Sequence, residues 1–317
     1  MTPSNKQTEA LVFNKHGIGH MARVARFPKP GETIRAREWH FDEDGGKGTN
    51  VAVALGKLGI RSALICKVGA DAGGRLGKKW LMDAGVDCSH YSLCEDIATD
   101  VGLVITRDDG ENVVIGSPAH PCWTTKEELC AAIDAHPEAR LFITGLEIDQ
   151  RLPLEGCRYA RRRGKAVLLN ASPLLDEIRE PLDYVDYLFV NKLEGADLAG
   201  ASPDRKDWPA IALEAWRRYQ PEVLIMTLGG GGCIVCKAGE AIHLPGYETQ
   251  CVDSVAAGDG FLAAFAAGIL WGLTTLEAAD WANRYGAVVV SRKGAILSYP
   301  TLSEVKTAAA GLKRRRE

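Results

Sequence analysis

Apolar and polar positions along this chain switch between two periods. Short apolar runs bounded by turn residues read as buried strands, and apolar positions three and four apart read as helices. Leu11-Val12-Phe13 opens the series. Residues 21–27 alternate as a half-exposed strand, Pro28 to Gly31 makes a turn, and 33–41 reads as a further strand. Strands with no helix between them predict a small sheet standing off the main body. A helix over 51–58, stopped by Gly59, a strand over 62–68 and a helix over 73–84 follow. Residues 101–106 and 112–115, around Asp108-Asp109-Gly110, read as a hairpin able to pair with the first stand-off piece.

From there strands and helices alternate. Strands are expected at 141–144, 166–169, 187–190, 223–227 and 232–236. Helices are expected at 126–135, 154–163, 193–199, 208–219, 261–270, 275–290 and 302–312. This order implies an α/β fold, a doubly wound and mainly parallel sheet flanked by helices, with a small β-sheet lid from about 19–42 and 100–117. Residues 1–317 read as a single domain without repeats or linkers. Ligands of such sheets bind beyond the carboxyl ends of the strands. Polar residues gather there: Glu147, Asn170, Asn191 and Glu194 as N-x-x-E, Thr227, and Gly229 to Gly232. Each also suits a helix cap or a loop.

Composition narrows the classes. Hydrophobic residues make up 46% and charged residues 25%, which suits a globular protein. A net charge of −3 argues against a general nucleic-acid surface, and Lys313 to Arg316 reads as a solvated tail. Residues 1–10 are polar, and the longest apolar run, 261–273, is too short to span a bilayer, so no membrane contact is expected. Nine cysteines without framework spacing predict reduced thiols and a cytoplasmic location. Cys233 and Cys236 would point to opposite faces of a strand, which reads as packing. The seven histidines show no metal-ligand spacing.

Two glycine-rich stretches carry chemistry. Gly45-Gly46-Lys47-Gly48-Thr49-Asn50 opens a helix with small residues that permit close approach of a ligand, while Lys47 and Asn50 supply donors. Asp253-Ser254-Val255-Ala256-Ala257-Gly258-Asp259-Gly260-Phe261 leads from an extended segment into a buried helix. Small residues at a helix start expose backbone amides to an anion, and the Asp259 carboxylate at the end of the run can take a proton from a hydroxyl beside it. An anion hole and a base on one turn suit phosphoryl transfer to an alcohol. A glycine-containing helix cap is the plainer alternative.

These two stretches, with Asn191-Lys192-Leu193-Glu194 between them, resemble the ribokinase family, the PfkB carbohydrate kinases, over about residues 12–300. Arg292-Lys293-Gly294-Ala295, then Ser298 and Pro300, resembles the C-terminal loop of its ribokinase branch. The resemblance implies an ATP-dependent kinase for a hydroxyl of a small sugar, polyol or nucleoside. It implies Asp259 as base and the amides of Ala256, Ala257, Gly258 and Asp259 as the anion hole. Gly46, Lys47, Asn50 and Glu147 would bind the acceptor, with His20 beside it. Asn191, Thr227, Gly229, Gly232 and Asn283 would lie along the nucleotide, and Glu194 would organise Mg²⁺ through water. Asp253, Val255, Val289, Arg292, Gly294 and Ser298 would cradle a monovalent cation such as K⁺. The lid would pair two subunits into a homodimer.

One departure stands out. The family's first strand ends in N-x-D, whose Asp grips two hydroxyls, and by spacing those places fall on Gly17 and Gly19. Two acceptor positions are then gone and the space is larger, so D-ribose is expected to be a poor substrate. A shift of the strand would instead put Asn14 or His16 there. The competing readings are a kinase for a phosphorylated ketose or a hydroxymethyl-pyrimidine, and a catalytically silent sugar- or nucleotide-binding protein.

Overall fold

Strand β1 (Ala10–Phe13) divides the core in two. Ala10 and Val12 enter one apolar cluster, and Leu11 and Phe13 enter the other. Both faces are covered, so the strand reads as a continuous apolar run rather than an alternating one. The structure, a computed structural model, describes residues 7–109, 111–116, 124–202 and 204–315.

After β1 come β2 (Gly17–Val24), β3 (Glu38–Asp44), α1 (Gly46–Lys57), β4 (Ser62–Gly69) and α2 (Ala72–Asp83). Then follow β5 (Tyr91–Cys94), β6 (Asp100–Arg107), β7 (Asn112–Ile115), α3 (Lys126–Asp134), β8 (Leu141–Gly145) and α4 (Arg151–Arg162). Strands β9 (Ala166–Asn170) and β10 (Tyr187–Asn191) lead to α5 (Lys192–Ala199) and α6 (Trp208–Tyr219). Strands β11 (Val223–Thr227), β12 (Cys233–Lys237) and β13 (Glu240–Leu244) precede α7 (Ala257–Leu270), α8 (Thr275–Val290) and α9 (Leu302–Ala309).

Nine strands form one sheet in the order β13-β12-β11-β10-β9-β8-β1-β4-β5, parallel except for β12 and β13. Four form a second sheet, β3-β2-β6-β7. Helix α7 carries eleven buried residues and joins α1 and α8 on one face of the large sheet. Helices α3 to α6 cover the other face. Thr125, Asn191, Thr274 and Thr301 each cap a helix reciprocally with the Glu three residues on, which fixes where α3, α5, α8 and α9 begin.

The observed elements differ from the expected ones in a few places. Strand β3 starts at Glu38 rather than 33, because its partner β2 ends at Val24 and the last pair is Arg23 with Glu38. Strands β5 and β13 were not legible; each is short, and β13 is largely exposed. The basic tail is solvated as expected, with Lys313, Arg314 and Arg315 exposed, but its backbone is held in place through Arg315. Arg315 donates its amide to Gly246 O (2.9 Å), and Arg314 pairs with Asp280 (2.8 Å). Cys233 and Cys236 do point to opposite faces, one into each core cluster, and burial pushes both thiols up to about 12.

Candidate active site

The segment after β1 and the turn before α1 lie backbone against backbone. Gly17 donates its amide to Gly45 O, and Gly48 to Lys15 O, both at 3.1 Å. A Cβ on Gly48 would stand 2.5 Å from Lys15 O, so only glycine fits there. Packing within the chain fixes this glycine, where the sequence suggested approach of a ligand. The turn presents side chains to the cavity instead: Asp44, Lys47 and Asn50.

Helix α7 supplies the facing wall. It starts after Ala256, whose φ of 58° lies in the left-handed region, sparsely used by residues with a Cβ. The chain thereby turns sharply and brings Gly258 and Asp259 into the first helical turn, whose amides have no partner within the helix. Asp259 is 6% exposed. Asn50 joins the two walls. Its Nδ2 donates to Asp259 Oδ2 (2.9 Å) and to Asp44 Oδ1 (2.6 Å), and its Oδ1 accepts from the Gly45 amide (3.1 Å). Glu147, following β8, accepts from the Lys47 amide at 2.9 Å.

These charges act on one another. Burial pushes Asp259 up to about 6; Lys47 and Asn50 pull it down, and Asp44 pushes it further up. Burial likewise pushes Glu147 up to about 7, opposed by Lys47 and Lys15 and reinforced by Asp259 and Asp44. For Lys47, burial works against the charge, but Asp259, Glu147, Asp44 and Glu194 outweigh it and raise its pKa. A carboxylate poised near neutrality beside free helix amides can accept a proton from a hydroxyl while the amides hold an anion.

The cavity continues along the carboxyl ends of β9, β10 and β11 and holds about 390 Å³. Asn170, Ser172, Asn191, Glu194 and Thr227 line it. Asn191 caps α5 by accepting from the Leu193 and Glu194 amides, and Glu194 returns the bond to the Asn191 amide at 2.7 Å. The N-x-x-E spacing is thus a helix cap that also faces the cavity. Gly229 starts the short helical turn after β11 and Gly232 follows it, both outside the lining, with φ of 60° and 93°. Asn283 is also outside it, donating to Leu244 O (3.3 Å) and Cys233 Sγ (3.5 Å).

Behind the α7 turn, Asp253 stitches two loops together. Its Oδ1 accepts from the Val255 amide (3.0 Å) and its Oδ2 from the Gly294 amide (3.2 Å). Val289 O accepts from the Arg292 amide (3.0 Å), and the Ser298 hydroxyl donates to Ala295 O (2.6 Å).

The residues around the expected N-x-D are placed differently from the spacing argument. Gly17 and Gly19 are inside β2 of the small sheet. His20 is on that sheet's outer face, its ring edge-on to Phe41 at 5.2 Å, and it does not line the cavity. The reason is the strand period: Met21, next to it, turns inward against Val255 and Val104. His16 is 2% exposed and occupied on both ring nitrogens, Nε2 with Gly73 O (3.2 Å) and Nδ1 with the Thr49 hydroxyl (2.8 Å). Since a carbonyl only accepts, Nε2 carries the proton. Burial pushes His16 down to about 4. Asn14 is buried as well and accepts from the Lys15 amide. The residue that sequence reasoning missed is Asp44, whose one signal was its place directly before the glycine turn.

Comparison with known proteins identifies the family and the fold. The model of the pfkB family of carbohydrate kinases matches residues 17–302. The chain belongs to that family. It is 31% identical over 309 residues to ribokinase of Schizosaccharomyces pombe, covering 93% of this chain and 96% of that one. It is 30% identical over 284 residues to a fructokinase of Escherichia coli, covering 83% and 91%. Among solved structures, ribokinase of Cryptococcus neoformans var. grubii in complex with ADP superposes with a TM-score of 0.82 at 25% identity, covering 95% and 100%. The α/β architecture with its smaller second sheet is that of these kinases. The protein is a phosphotransferase with an alcohol acceptor, an ATP-dependent sugar kinase, and the reading as a silent binding protein is not favoured.

Proposed function

We propose that this kinase phosphorylates a small, hydroxyl-rich sugar or polyol, with Asp259 as the base. The observation that carries the reading is Asn50, which holds Asp259 at the amide end of α7 and within reach of Asp44, Glu147 and Lys47. A hydroxyl lying between Asp259 and that helix end would lose its proton to the carboxylate as its oxygen attacks phosphorus. The amides of Gly258 and Asp259, with those of Ala256 and Ala257 beside them, would hold the transferring γ-phosphoryl group. Gly46, Lys47, Asn50 and Glu147 would bind the acceptor. Asn191 and Thr227 would lie along the nucleotide, with Gly229, Gly232 and Asn283 beyond the cavity floor toward its base.

Two ions suit the residues present. Glu194 faces the cavity with a carboxylate beside the expected phosphates, the hard oxygen donor that hydrated Mg²⁺ takes. Asp253 and the carbonyls of Val255, Val289, Arg292 and Gly294, with Ser298, would supply an oxygen-only set from the end of α8 and the two loops that Asp253 ties together. Such a set suits K⁺, which would hold in place the loop carrying the anion hole.

The chain would work as one unit whose small sheet acts as a lid. Met21 and Val104 on its inner face pack on Val255, while Trp39, Phe41, Val101, Val113 and Ile115 leave its outer face exposed and apolar. An apolar face of that kind favours a second copy of this chain, hence a homodimer. No helix of the described residues is long and apolar enough to cross a membrane, and their eight cysteines are free thiols, which supports a cytoplasmic location. The test is ADP release with D-ribose, D-fructose, polyols and nucleosides. Turnover of at least one sugar or polyol is expected, and turnover of none of them would sink the acceptor class.

A further inference from the structure

The sequence suggests that the acceptor site has lost a carboxylate at Gly19 and gained space. The structure shows where both went. Gly19 on β2 pairs with Asp44 on β3, and the two are cross-strand neighbours. A Cβ on Gly19 would stand 2.6 Å from Asp44 Cβ and 2.9 Å from Asp44 Oδ2. The space that the glycine leaves is therefore filled by the Asp44 side chain, which a larger residue at 19 would displace. Asp44 lines the cavity with Lys47, Asn50, Glu147 and Asp259. Its Oδ1 takes the second N–H of the amide that holds Asp259, and no other hydrogen bond to its carboxylate occurs among the described residues. His16 cannot serve the same end, since both its ring nitrogens are engaged with Thr49 and Gly73.

We infer that Asp44 is the hydroxyl-gripping carboxylate of this kinase, delivered from the small sheet and made possible by Gly19. It binds a second hydroxyl of the acceptor, apart from the one that reacts at Asp259. A carboxylate offers acceptors only, so the acceptor must present at least one further hydroxyl at this end. A ligand lacking that second hydroxyl leaves Asp44 facing an apolar carbon without a donor, which is strongly disfavoured. Because Asp44 sits on the same sheet that covers the site, acceptor grip and coverage arise together. The inference rests on the sugar-kinase reading and deepens it.

The test compares wild type, Asp44→Asn and Gly19→Ala on two probe pairs: D-ribose with 2-deoxy-D-ribose, and D-fructose with 2,5-anhydro-D-mannitol. Thermal unfolding of each variant checks that it folds. Wild type is expected to prefer the fully hydroxylated member of at least one pair by about 10²-fold or more in kcat/KM. In Asp44→Asn that preference should collapse to within about 5-fold, through KM for the sugar, with KM for ATP unchanged, since a neutral amide accepts less strongly than a carboxylate. Gly19→Ala should reproduce the effect with Asp44 intact. A merely structural Asp44 would lower activity on both members of a pair alike, and that result overturns the inference. Wild type turning over neither pair and none of the other sugars and polyols of the ADP-release panel would instead overturn the acceptor class proposed above, and the inference with it.

Discussion

The acceptor end and the nucleotide end of the cavity are built in opposite ways. The acceptor end is assembled by long-range contacts: Asn50 reaches Asp259 across 209 positions, and Glu147 reaches the Lys47 amide across 100. It concentrates charge, three carboxylates around Lys47. The nucleotide end is assembled locally. Asn191 and Glu194 cap one another three residues apart, and glycines with positive φ shape the turn after β11. Contacts that span the chain can be rewired from a neighbouring strand while the chemistry persists, as Asp44 and Gly19 show. A local cap offers no such freedom, because its residues are spaced by the helix itself.

The largest expected effect falls on the acceptor end. Asp259→Asn should lower kcat by about 10²–10⁴-fold while leaving nucleotide affinity within a few-fold, measured by turnover and by ATP titration. Equal losses in both would show the two ends to be coupled rather than separately built. The same variant has a stability signature. Burial holds Asp259 at about 6, above its ordinary 3.8, so the folded state binds this proton more tightly than the unfolded one. That contribution is whole below the ordinary value and is lost as pH rises through about 6. The melting temperature of Asp259→Asn should therefore gain on wild type between about pH 4 and about pH 7.5.

The next effect is on pH dependence. Wild-type kcat/KM should rise with pH over about 6 to 7, as Asp259 and Glu147 lose their protons. Lys47→Met removes the cation that pulls both carboxylates down. The acidic limb should then move to higher pH, and a limb that stayed put would disconnect Lys47 from the base. A smaller effect is expected from K⁺. At fixed ionic strength and Mg²⁺, replacing Li⁺ by K⁺ should raise kcat several-fold through order in the α7 turn, and identical rates would remove the cation from the account. The smallest effect is on stability. Ala256→Gly relieves a left-handed alanine and should raise the unfolding free energy by about 1 kcal/mol at most, read from denaturant midpoints.

The alternation of apolar runs determined the inner strands of the large sheet and its helices, but not its edge strands β5 and β13, because strands buried on both faces must be apolar throughout and helix starts carry their own caps. The polar residues of the site were legible for the same reason: Glu147, Asn191 and Thr227 stand at or just beyond strand ends, and Glu194 and Asp259 in the first turns of α5 and α7. Local spacing could not assign faces in the small sheet. His20 and Met21 differ by one position and point to opposite sides, so an inward histidine in the sequence became an outward one in the fold. Nor could spacing show that Gly48 is held by Lys15 O, or that Gly19 makes room for Asp44. Those outcomes depend on which strands lie side by side. Strand pairing is set by packing over the whole chain, and only the tertiary structure decided it.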